Sequence, residues 1–167
     1  MKNYLFYVLL LLTISCSSTK EKFLNPEEES PDVYKVLFDN EDVKVLKVIF
    51  APGQSDNMHD HLPMTIHVIK GGKVQGTLPD GTVSEREIPD GFTGHQAKGV
   101  RHQMKNIGNN EMEILLIEEK KTRPKTKVNE NFLHPESTSP DIYEKLLENE
   151  HVKVMMVTFE AGEGDQM

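Results

Sequence analysis

Five of the seven histidines in this 167-residue chain lie between positions 59 and 102, and two of them form the triplet His59-Asp60-His61. On an extended segment the side chains at i and i+2 share a face, so both imidazoles point one way and Asp60 points the other. Two neutral imidazoles side by side suit a divalent metal ion: Fe, Mn, Zn, Ni or Cu. His67, His95 and His102 follow in the same stretch. The lone cysteine, Cys16, excludes an intrachain disulfide and a thiolate-cluster metal site.

The elements around these histidines read as strands. Val43 to Phe50 alternates apolar and polar, becomes wholly apolar, and stops at Ala51-Pro52-Gly53. Thr65 to Ile69 is β-rich and ends at Gly71-Gly72; Lys73 to Leu78 and Thr82 to Ile88 flank the hairpin signal Pro79-Asp80-Gly81. Met112 to Glu118 is a closing apolar strand, and helix is scarce, with a turn expected near Asp32 to Phe38. With 11 glycines, 9 prolines and no tryptophan, short strands at this spacing indicate an all-β sandwich or small barrel. A net charge of −8 excludes a nucleic-acid binder that works through a basic face. Hydrophobic residues at 37% are too many for a disordered chain and too few for a polytopic membrane protein.

Two spaced motifs are identified here. Gly53, His59, His61 and Gly72 match G-x5-H-x-H-x3-E-x6-G, with Thr65 in place of the glutamate, and Gly91, Gly99, His102 and Asn106 match G-x5-P-x-G-x2-H-x3-N, with Ala97 in place of the proline. Together they resemble the two motifs of the cupin superfamily, over residues 32–120. The resemblance implies a cupin-type small β-barrel (a double-stranded β-helix or jelly roll) whose mouth holds a divalent metal on His59, His61 and His102. His67, two residues after Thr65, is expected to face inward with it, as a further candidate ligand or as a pocket residue, and His95 is expected on the pocket wall. Gln103 should point away from the metal, Met58, Met64 and Met104 should pack, and Arg101 should form a surface ion pair or meet an anion at the rim. His134 and His151 are expected to be exposed to solvent.

The amino terminus has the character of an export signal. Lys2 precedes the apolar run Leu5 to Ile14, which is shorter than the ~20 residues a spanning helix needs, and Thr13-Ile14-Ser15-Cys16 follows directly. This resembles the lipobox of bacterial lipoproteins, which implies lipidation of Cys16 after removal of residues 1–15 and a membrane anchor in the cell envelope, at the outer membrane. Residues 16–31, with Pro26 and three successive glutamates, read as a solvated tether.

Residues 130–167 repeat residues 21–58 without a gap, with 20 identities in 38 positions. The chain is thus divided into a signal, a tether, a barrel over 32–120, a linker over 121–129 and an incomplete second repeat. Either the repeated strands dock on the barrel or on a second molecule, or they form a poorly ordered tail. The expected function is binding of a divalent metal and a small molecule in the barrel. The alternative is a metal-dependent enzyme of the cupin dioxygenase or isomerase type acting on a small oxygenated substrate. The resemblance further implies a homodimer.

Overall fold

The structure, a computed structural model, describes residues 21–121 and 133–165. The expected signal, Cys16 and most of the linker lie outside the described residues. Nine strands form the barrel: β1 (Tyr34–Asp39), β2 (Val43–Phe50), β3 (His59–His61), β4 (Met64–Lys70), β5 (Gly72–Thr77), β6 (Val83–Ile88), β7 (Thr93–Gln96), β8 (Val100–Asn106) and β9 (Met112–Glu119). Along β2 every second side chain is buried, namely Lys44, Leu46, Val48 and Phe50, as the period of a half-buried strand requires. Antiparallel pairing sets Leu46 opposite Leu116, Val48 opposite Ile114 and Phe50 opposite Met112, so the two inward rows merge into one apolar surface. Each such side chain contributes about 1.5–3 kcal/mol by leaving water.

One sheet has the order β1-β2-β9-β4-β7 and the other β3-β8-β5-β6. The pairs β2·β9, β3·β8, β4·β7 and β5·β6 are all antiparallel and nest from the outermost strands to the innermost hairpin. Eight strands wound in this way make two facing four-stranded layers, with β1 added at one edge. The fold is a jelly roll, or double-stranded β-helix. Val33, Tyr34, Leu46, Val48, Phe50, Met64, Val74, Met112 and Leu116 fill the space between the layers.

Two expectations at the amino-terminal side are corrected. The helical turn falls not at Asp32 to Phe38 but earlier, in α1 (Pro26–Glu29), where Pro26 opens the turn and acidic residues occupy its positive end. Tyr34 to Asp39 is β1, because its antiparallel partner β2 supplies the ladder and Tyr34 plugs the core. From Leu24 onward the expected tether is also docked. Leu24 N–H donates to Asp60 Oδ2 at 2.8 Å, Asp60 N–H donates to the Leu24 carbonyl at 2.8 Å, and Glu27 pairs with the buried Lys44 at 2.7 Å.

The repeat is structural as well as sequential. α2 (Pro135–Thr138), β10 (Tyr143–Glu148) and β11 (Lys153–Val157) reproduce α1, β1 and the first part of β2. The bulge between Val36 and Phe38 recurs between Lys145 and Leu147, and Gly53 and Gly162 both adopt left-handed φ, 78° and 85°. Lys153 pairs with Glu136 as Lys44 does with Glu27. Tyr143 donates to Asp165 at 2.7 Å as Tyr34 donates to Asp56 at 2.8 Å. His151 is exposed, as expected, and one face of its ring stacks on His95 of β7 with ring centroids 5.2 Å apart, so the second hairpin touches the barrel there.

Candidate metal centre

The short strand β3 lies beside β8 with His59 opposite His102, Asp60 opposite Arg101 and His61 opposite Val100. This register puts the three expected imidazoles on one side of the pair. Their ring centroids are 4.6 Å (His59–His61), 4.9 Å (His59–His102) and 5.2 Å (His61–His102) apart. One nitrogen from each ring falls within 4.8 Å of the others. Asp60 points the other way, as expected, and takes the Arg101 guanidinium in a two-pronged ion pair of 2.7 and 2.8 Å. Arg101 also reaches Glu21, so it is committed to holding the amino-terminal segment. That guanidinium keeps the Asp60 carboxyl below its ordinary range. Gln103 likewise turns away from the histidines and donates to the Asp56 carbonyl at 2.8 Å.

The partners of the outer ring nitrogens decide what the inner ones can do. His59 Nδ1 is 2.7 Å from the Asn57 carbonyl, which can only accept, so this nitrogen carries the proton. His61 Nδ1 donates in the same way to Glu118 Oε1 at 2.6 Å. The Nε2 of His59 is then a bare lone pair, and it faces the Nε2 of His61 at 2.8 Å. His102 Nε2 is buried without a hydrogen-bond partner. Burial, first of all, holds His59 down to about 4 and His102 down to about 3, so both rings are neutral at physiological pH. Converging lone pairs repel unless a cation shares them, and a carboxylate behind a ligating imidazole raises its basicity. The three-imidazole set fits a divalent transition metal on these grounds.

Tyr34 and Asp56 complete the surroundings. The Tyr34 hydroxyl donates to Asp56 Oδ2 at 2.8 Å and lies 3.2 Å from His59 Nε2, while Asp56 Oδ1 accepts the Met104 N–H at 2.6 Å. Burial pushes Asp56 up to about 6 and, with Asp56 beside it, holds the Tyr34 hydroxyl well above its usual range. Neither residue was singled out from the sequence as part of the site, nor was Glu118. A signal existed for each. Glu118 ends the inward row Met112-Ile114-Leu116, where a charge needs a reason, and Tyr34 and Asp56 both recur in the repeat.

The strand that follows departs from expectation. On β4 the cavity is lined by Met64, Ile66 and Val68, which puts Thr65 and His67 on the opposite face. His67 Nδ1 contacts Thr93 Oγ1 at 2.9 Å and does not join the three histidines. The position expected for the missing glutamate therefore faces away from the metal site, and the inward places beside it are apolar. His95 borders the cavity, but its ring lies against Thr65 Oγ1 at 3.2 Å and Glu119 at 3.5 Å.

A cavity of about 410 Å³ opens from the histidines between the two sheets. His61, His102 and Tyr34 form its polar floor, and Phe50, Ile66, Val68, Val74, Ile114 and Leu116 are among its apolar walls. That volume lies within the roughly 300–1,000 Å³ usual for small-ligand sites.

No family model matches the chain, and no curated protein does. Solved structures do. The chain is similar to a cupin domain from Bordetella pertussis, at 27% identity and TM-score 0.49, over 53% of this chain and 93% of that one. It is also similar to an RmlC-like cupin family protein with a double-stranded β-helix fold from Methanocaldococcus jannaschii, at 18% identity and TM-score 0.43, over 61% and 93% of the two chains. A cupin-like protein from Thermotoga maritima is a third, at 21% identity and TM-score 0.42, over 52% and 67%. Among the described residues no helix is long and apolar enough to cross a membrane.

Proposed function

We propose that the chain is a metal-binding cupin of the bacterial cell envelope that holds a divalent ion on His59, His61 and His102 and admits a small molecule to the cavity beside it. The observation that carries this reading is the convergence of one nitrogen from each of three buried or half-buried imidazoles within 4.8 Å, with the Nε2 atoms of His59 and His61 only 2.8 Å apart. A metal bound there supplies Lewis acidity toward a ligand oxygen. The chain's own residues orient the rings through the Asn57 carbonyl and Glu118, and exclude bulk water with apolar walls. Metal analysis of chain purified without a histidine tag tests this. Near one equivalent is expected, and it should be lost in His102→Ala; absence of metal after loading with Zn, Mn, Fe, Ni or Cu would contradict it.

The second reading, a cupin enzyme of the dioxygenase or isomerase type, is favoured by the open cavity that reaches His61 and His102. Oxygen uptake and product analysis across diketones, thiols and hydroxy acids separate turnover from binding. Placement in the envelope is supported by the run Leu5 to Ile14 followed by Cys16. Incorporation of labelled palmitate into the cells' protein, abolished in Cys16→Ser, is the expected outcome; equal labelling of both would remove the anchor from the account.

A further inference from the structure

Arg86 is the single lysine or arginine on the cavity wall among the described residues. Its place follows from strand alternation. β6 pairs with β5 so that Arg86 stands opposite Val74, a side chain only 2% exposed on the cavity wall, and Ile88, two residues on, lies in the same inward row. The other row of β6 carries Glu85 and Glu87, and Glu85 is satisfied by Lys73 at 3.0 Å. Glu87, from that other row, also borders the cavity, without an ion pair to Arg86. Arg86 itself has no ion pair or hydrogen bond among the described residues.

An unpaired guanidinium at the edge of an apolar cavity is a fork shaped for a carboxylate. The other basic candidate at this rim from the sequence, Arg101, is already occupied by Asp60 and Glu21. We infer that Arg86 is the anion-recognition residue of the cavity, and that the small molecule taken there is a carboxylate with an apolar body. The apolar part packs against Ile66, Val68, Val74 and Phe92, and the carboxylate meets Arg86 at the mouth. The inference deepens the proposed function and rests on it only for an oxygen donor on the metal side.

Titration calorimetry with straight-chain carboxylates of about four to ten carbons, each beside its primary amide, tests the assignment. The amide keeps the shape and removes the charge. On the zinc-loaded chain the carboxylates should bind about ten- to a hundredfold more tightly than the amides. Arg86→Gln should erase that difference, and Arg86→Lys should restore part of it. Zinc content measured on the same samples should be unchanged by either substitution. If carboxylates and amides bind alike, if Arg86→Gln leaves the difference intact, or if no member binds, the assignment is overturned. A chain that takes up no zinc but still discriminates through Arg86 would refute the metal reading and leave the carboxylate site standing.

Discussion

At the residue scale, the site depends on what stands behind each ligand. Glu118 has no exposure and fixes the His61 tautomer from 2.6 Å. Glu118→Gln keeps the shape but weakens the acceptor, and should lower metal affinity about 10- to 100-fold with little change in fold, measured by competition with a chromophoric chelator. The neutral rings also set a pH dependence for the metal-free chain. His59 and His102 titrate at about 4 and about 3 when folded, against 6.5 when free of the fold. Below 6.5 the unfolded chain binds protons that the folded chain refuses, so stability falls as pH drops toward those values. Asp56 acts in the opposite sense between about 6 and its ordinary 3.8, offsetting part of the loss. Thermal midpoints of metal-free chain should be lower at about pH 4.5 than at about pH 7.5; an unchanged midpoint would mean that the rings are not buried as neutral bases. His59, His61 and His102 were legible in the sequence because period-2 alternation and motif spacing are local. His67 was not, because the loop between β3 and β4 resets which residues face inward.

At the element scale, two motif residues have structural reasons that spacing alone does not give. Gly99 precedes β8, and a Cβ there would meet the His61 carbonyl oxygen at 2.7 Å. Gly99→Ala should push β8 away from β3, separating His102 from the other two ligands, and should lower both metal affinity and thermal midpoint. Asn106 ends β8 fully buried, with its amide donating to the carbonyls of Phe50, Ala51 and Asn110 and its Oδ1 accepting the Gly108 N–H at 2.9 Å. Asn106→Ala leaves those backbone groups without partners and should cost about 3 kcal/mol in denaturant unfolding. A cost near zero would show that water replaces the amide. Strands β2, β5, β6 and β9 were close to their expected limits because turn residues bound them. β1 was misread as a helical turn, since the ladder that makes it a strand comes from β2 and is not written in its own six residues.

At the scale of the whole molecule, the three clustered histidines and their supports Tyr34, Asp56 and Glu118 all come from residues 21–121. The second hairpin repeats Tyr34 and Asp56 as Tyr143 and Asp165 and meets the barrel at His95 and His151. Removing residues 122–167 should therefore leave metal stoichiometry and the β-type circular dichroism spectrum unchanged; loss of either would make the second hairpin a part of the site. The repeat itself was legible because identity at a fixed offset needs no folding argument, whereas its contact with β7 depends on a tertiary arrangement that composition does not encode. The account as a whole turns on the number of imidazoles around the ion. X-ray absorption fine structure of the zinc-loaded chain measures it directly. Three histidine nitrogens are predicted, falling to two in His102→Ala, whereas a shell of oxygens with fewer imidazoles, or no stable zinc, would contradict the central claim.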